Sequence, residues 1–331
     1  MKKIAFCIVL LAMSCLATMA DSFEKDGFYY FIEDEIQVTV WNSTTLSGEV
    51  TVPANVSYNG KNYIVTKISG IGSNVTKLNL PVTLKEMDEQ CFYGTDKLEY
   101  INWEKLIGLQ TIGARAFTYS GIKQVTIPAN VRTIEENAFS GCEELTNLTI
   151  QSVLLKEISK GVWDNCTKLT TIDLSATQIN KIGENAFYGC TALKTVKLPQ
   201  ILQEIGATAF AGCTAMTELT IPPMVTTLGD RFLAWNTSLK KLTVQSYNPC
   251  AATSKTFEYI DKDQVTLFVP KQTVSLYKNA TGWKDFKYIT DGTQAIENVT
   301  GDTSKLIKSL RDGQIFIFNG DKTYTLTGQE Y

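Results

Sequence analysis

The feature that most constrains this chain is a six-residue block that returns in phase. NAFSGC at Asn137–Cys142 comes back as NAFYGC at Asn185–Cys190 and as TAFAGC at Thr208–Cys213, with a weaker copy, GVWDNC, at Gly161–Cys166. Its aromatic residue recurs at Phe92, Phe117, Phe139, Trp163, Phe187, Phe210 and Phe232, in steps of 25, 22, 24, 24, 23 and 22 residues. A period of about 20–29 residues with aliphatic positions in phase marks a stack of similar coils. Such a chain grows along one axis, so its 331 residues need not divide into two globular domains.

One coil, Leu193–Thr214, shows how the stack is built. Leu193, Val196 and Leu198 follow L-x-x-L-x-L, a strand whose alternation sends Val196 and Leu198 inward and leaves Thr195 and Lys197 outside. Pro199 closes the strand because it cannot donate to a continuing ladder. Leu202 and Ile205 begin a second inward stretch, Gly206 turns the chain, and Phe210 supplies the largest core side chain before Cys213. Neighbouring coils repeat the strand triplet at Ile122/Val125/Ile127, Leu145/Leu148/Ile150, Leu169/Ile172/Leu174, Met216/Leu219/Ile221 and Leu239/Leu242/Val244. No coil can bury this apolar set alone; each needs the next one against it.

The motif IP-x-x-V-x-x-I-x-x-x-AF-x-GC at Ile127–Cys142 resembles the BspA-like class of bacterial surface-protein leucine-rich repeats, first noted in Bacteroidetes and treponemes. The expected fold is therefore a β-rich leucine-rich repeat solenoid of parallel strands and short turns or 3₁₀ pieces. It runs over 64–270 in about eight coils, behind a β-rich N-terminal cap at 21–63. In that cap Asn59-Gly60 reads as a tight hairpin turn. A C-terminal cap is expected at 271–289, where Tyr277, Trp283 and Phe286 would cover the last coil, followed by a polar linker at 290–303. The tail, 304–331, alternates as a β-hairpin with strands at Gln314–Phe318 and Thr323–Thr327. It is similar to tails that act as type IX secretion signals, although the chain ends Gln329-Glu330-Tyr331 without the usual basic finish.

Residues 1–20 read as an export signal peptide: Lys2 and Lys3, then the apolar Ile4–Leu16, then Thr18-Met19-Ala20 as a cleavage site. Cys15 offers a lipid-anchored alternative. Cell-surface or extracellular placement is expected on either reading. The resemblance implies adhesion or binding to a host extracellular-matrix or surface protein, or to a glycan, by a monomer.

Composition narrows the chemistry. The chain contains no histidine, which removes Ser-His-Asp triads, Cys-His dyads and His-ligated metals. A net charge of −3 without a basic patch argues against nucleic acid. Six cysteines follow the leader, and Cys142, Cys166, Cys190 and Cys213 share one coil position. Stacked residues stand about 4.8 Å apart, further than the ~3.5–4.5 Å between the β-carbons of a disulfide, so these thiols read as small buried apolar groups. A single-file row cannot surround a zinc ion. No catalytic residue, metal or cofactor is expected.

The enzyme alternative is a parallel β-helix that degrades polysaccharide. The period, however, is nearly constant and no inserted loop is long enough to wall a cleft. A passive role in a surface layer is the third reading. The candidate ligand-binding residues are the outward strand positions, which form two columns. One holds Tyr100, Gln124, Asn147, Thr171, Thr195, Glu218 and Lys241; the other holds Thr126, Thr149, Asp173 and Lys197, with Asn79, Asn102, Thr220 and Thr243 continuing the row. Threonine is also favoured by strand propensity alone, so the same grid suits a merely solvated sheet. The aromatic column is expected to be consumed by packing.

Overall fold

The computed structural model describes residues 21–42 and 46–292, together with the backbone of strands Leu306–Arg311, Gln314–Asn319 and Lys322–Thr325. The expected leader with Cys15, the expected linker from residue 293 onward and the last six residues lie outside the described residues. Two units are present, one ending at Asp291 and one beginning at Gly292.

The first unit is a parallel β-solenoid of about 11 turns, rather than about eight. Along one side run Gly48–Thr51, Val75–Asn79, Tyr100–Ile101, Gln124–Ile127, Asn147–Ile150, Thr171–Asp173, Thr195–Lys197, Glu218–Ile221, Lys241–Val244, Thr266–Phe268 and Tyr288–Thr290. At about 4.8 Å per rung the row is roughly 50 Å long. The extra turns come from segments expected to be caps: Gly48–Thr51 pairs in parallel with Val75–Asn79, and Tyr288–Thr290 pairs in parallel with Thr266–Phe268. A second side of the coil carries two-residue strands, from Glu86–Met87 to Thr227–Leu228. Among the described residues the helical pieces are a 3₁₀ turn at Trp103–Lys105 and a six-residue helix at Val274–Asn279.

The N-terminal end is closed by antiparallel strands. Phe28–Ile32 pairs with Ser22–Lys25 and with Gln37–Asn42. Asn55–Tyr58 and Lys61–Gly70 form a hairpin around Asn59 and Gly60, whose φ values of 49° and 76° suit a primed two-residue turn. Lys61–Gly70 then enters the solenoid, pairing Lys67 with Glu86 and Ile68 with Met87. At the other end Tyr277, Trp283 and Phe286 are buried together, with Tyr277 and Trp283 in edge contact at 5.3 Å.

Phe92, Phe117, Phe139, Trp163, Phe187 and Phe210 form one buried column, with ring centroids 4.7 Å apart at the first step and 5.3 Å at the last. Phe232 does not continue it. The amide of Phe187 donates to Ala209 O, whereas the amide of Phe210 donates to Phe232 O. Phe232 therefore takes the place of Ala209, and Leu233 takes the place of the ring. Beside the column each thiol donates to the carbonyl of the aromatic residue one coil earlier: Cys142 to Phe117 (3.1 Å), Cys166 to Phe139 (3.4 Å), Cys190 to Trp163 (3.1 Å) and Cys213 to Phe187 (3.3 Å). Asn236 Nδ2 does the same to Phe210 O at 3.0 Å. The six cysteines among the described residues are free and buried. Burial pushes the Cys142 and Cys190 thiols up to about 12, so neither is a nucleophile near neutral pH.

The second unit contains three antiparallel strands where two were expected. Leu306–Arg311 pairs with Gln314–Asn319, which pairs with Lys322–Thr325.

Candidate binding face

Alternation within each strand decides what the long row of rungs presents. Inward positions such as Val125, Ile172, Leu219 and Leu242 are buried, and the residues between them point away from the core. Tyr100, Gln124, Asn147, Thr149, Thr171, Asp173, Thr195, Lys197, Glu218 and Lys241 are exposed, and Thr126 is half-buried. The ladders bring specific pairs side by side: Gln124 with Asn147, Thr126 with Thr149, Thr171 with Thr195, Asp173 with Lys197, and Glu218 with Lys241. Tyr100 stands apart from Gln124, because the 3₁₀ turn at Trp103–Lys105 intervenes and the indole of Trp103 donates to Gln124 O at 3.1 Å.

Asn102 does not belong to the exposed row. It is buried (3% exposed) and its side chain brackets Leu80, with Oδ1 accepting from the Leu80 amide at 2.8 Å and Nδ2 donating to its carbonyl at 2.9 Å. A short polar side chain here substitutes for a strand partner, which is why a pattern of alternation alone misplaces it.

Charges on the face are paired with each other. Lys197 Nζ lies 2.9 Å from Asp173 Oδ2, and Lys241 Nζ lies 3.4 Å from Glu218 Oε2. Hydrogen bonds from Ser175, with a further one from Lys197, hold the Asp173 carboxyl down at about 2. These pairs are open to solvent, so each contributes little to stability. The Asp173 carboxyl is thus shifted opposite to what a general acid needs. Among the described residues no cluster of acidic groups and cysteines is arranged to hold a metal ion.

Six of the eleven candidate residues converge on one shallow depression of about 390 Å³: Gln124, Thr126, Asn147, Thr149, Thr171 and Asp173. Val125 and Leu148 contribute apolar surface to it. It spans three coils, where the Gln124–Ile127 and Asn147–Ile150 ladder meets the separate ladder of Thr171–Asp173 and Thr195–Lys197. The outward columns also extend further than the sequence pattern indicated. Glu49 and Lys77 precede Tyr100, and Thr266 and Tyr288 follow Lys241. Only the step from Glu49 to Lys77, 28 residues, departs from the 22–25-residue spacing; the steps to Tyr100, Thr266 and Tyr288 are 23, 25 and 22, so periodicity could have found Lys77, Thr266 and Tyr288.

The model of the BspA type leucine rich repeat region matches residues 71–178 and 156–280, with six copies. The chain is similar in fold to a leucine rich repeat protein of T. pallidum (20% identity, covering 59% of this chain and 91% of that one, TM-score 0.52). Weaker likenesses are to a leucine rich cell surface protein from Faecalibacterium prausnitzii (16% identity, 82% and 99% covered, TM-score 0.38) and to the pneumococcal vaccine antigen PcpA (16% identity, 82% and 99% covered, TM-score 0.39). No curated protein matches the chain in sequence. With more than half its length matched by the repeat model, the chain belongs to the BspA-type leucine-rich repeat family.

Proposed function

We propose that this is an exported, cell-surface protein that uses its strand face to bind host matrix or surface proteins, or glycans, and that it catalyses no reaction. The observation that carries this reading is the convergence of six outward polar side chains from three successive coils on one shallow depression. A surface of that kind offers many weak hydrogen bonds along an extended partner rather than one deep pocket. Family membership, the leader-like segment Lys2–Ala20 and the surface-protein relatives support the placement. The paired charges speak against the polysaccharide-degrading alternative. Asp173 and Glu218 are each paired with a lysine, and the Asp173 carboxyl is held down at about 2, ionised at neutral pH.

The test is binding to solubilised extracellular matrix by purified protein and by a variant with Tyr100, Asp173, Lys197 and Glu218 changed to alanine. Saturable binding that weakens at least tenfold in a well-folded variant is expected. Undiminished binding by the variant removes the strand face from the account. Depolymerisation of an acidic polysaccharide would establish the enzyme reading, and no saturable affinity at all would leave the structural role.

A further inference from the structure

The side of the coil that carries the aromatic block holds an exposed feature separate from the strand face. Main-chain hydrogen bonds place Trp235 at the coil position of Gly189 and Gly212. The Gly189 amide donates to Ala211 O and the Gly212 amide to Ala234 O, each at 2.8 Å, and each of these carbonyls immediately precedes that position in the following coil. The backbone there is left-handed, with φ of 64° at Gly94, 66° at Gly141, 69° at Gly189, 74° at Gly212 and 62° at Trp235. An indole at such a position is an outlier. Strained backbone of this kind persists where the surroundings hold it, and it concentrates at functional sites.

Burial does not explain the choice of residue, since Trp235 is 43% exposed. Its ring stacks on Tyr259 of the next coil, with centroids 5.1 Å apart and planes within 16°. Tyr259 is itself 54% exposed and has a φ of 64°. Gly212, one coil back, has no side chain to cover the other face of the indole. Tyr119 is also an exposed aromatic at this position, but its ring lies against Gly141, where a β-carbon would meet it at 2.4 Å, and it meets Tyr93 edge-on at 5.8 Å rather than as a stacked pair. Alongside the Trp235–Tyr259 stack the Arg231 guanidinium lies 5.5 Å from the Tyr259 centroid, and its Nε donates to Glu258 Oε2 at 2.6 Å.

We propose that Trp235 and Tyr259, flanked by Arg231 and Glu258, form a platform that binds an uncharged glycan. An open aromatic face suits the apolar C–H face of a pyranose ring, and amphipathic Trp and Tyr leave polar edges for its hydroxyls. Arg231 donates and Glu258 accepts, which is what a hydroxyl needs on either side. Their charges cancel, so the platform selects neither an anion nor a cation.

The probes are cello-, xylo-, manno- and malto-hexaose, titrated by calorimetry and by tryptophan fluorescence. Trp103, Trp163 and Trp283 are buried and Trp41 is half-buried in the N-terminal cap, so a fluorescence response that disappears in Trp235→Gly is assigned to Trp235. At least one hexaose is expected to bind saturably. Trp235→Gly and Tyr259→Ala should each weaken it at least tenfold. Trp235→Gly restores the residue used in four other coils, so its thermal midpoint should hold or rise, which separates lost binding from lost folding. The strand-face quadruple variant should bind the sugar normally. Absence of binding by all four hexaoses, or undiminished binding by Trp235→Gly, would overturn the proposal. So would peptide binding at these rings that no hexaose displaces.

Discussion

Asn236 shows what a single coil position demands. It occupies the cysteine position, its amide nitrogen reproduces the thiol's hydrogen bond, and its Oδ1 is buried without a partner. A buried unsatisfied acceptor costs about 1–3 kcal/mol, so Asn236→Cys should raise stability by roughly 1–2 kcal/mol in chemical denaturation. Phe187→Ala should do the opposite and lower it by about 3–5 kcal/mol, because the ring is fully buried between Trp163 and Phe210. The thiols give a pH dependence of definite sign. Their pKa values rise on folding from 9.0 to about 12 at Cys142 and Cys190. Above pH 9 the unfolded chain therefore loses protons that the folded chain keeps, and stability present below pH 9 is lost as pH climbs toward 12. Urea midpoints that stay level from pH 9 to 11 would contradict this. The aromatic column was legible in the sequence as far as Phe210. At the next coil the nearest ring, Phe232, lies one residue out of phase, and only the main-chain hydrogen bonds identify Leu233 as its structural equivalent.

The coils approach one another closely at the glycine that follows the second strand. A β-carbon on Gly229 would stand 2.2 Å from Ala207 N, while one on Gly212 would find its nearest neighbour at 3.5 Å. Gly229→Ala must push two backbones apart and should cost several times as much as Gly212→Ala, whose penalty is the ~1 kcal/mol of a left-handed alanine. Thermal midpoints of the two variants check the contrast. Equal values would mean that the coils can separate freely. Strand alternation and proline stops made most rungs readable in advance. The outermost rungs were not, because Gly48–Thr51 is reached after an antiparallel meander and Tyr288–Thr290 after a helix. Neither follows the repeat motif, yet both supply the parallel edge that the neighbouring coil requires. The Leu306–Arg311 strand was missed for a related reason: its apolar residues, Leu306, Ile307 and Leu310, do not alternate.

For the whole molecule, the repeat determines a long parallel face but not what the face touches. The eleven candidate residues were legible as a grid because period-2 alternation is local. Their grouping into one depression depends on which ladders join across coils, and the sequence does not display that. Since the six described cysteines are buried, a cysteine introduced on the surface of a chain that starts at Asp21 can be labelled selectively. This permits a direct test of the central claim, that the strand face is where a partner sits. A photo-crosslinker would be placed at Thr149→Cys on that face and, in a separate variant, at Glu136→Cys on the aromatic-block side; both positions are exposed. After incubation with solubilised matrix and illumination, crosslinked adducts should form from position 149 and not from position 136. Adducts from position 136 alone, or equally from both, would contradict the account.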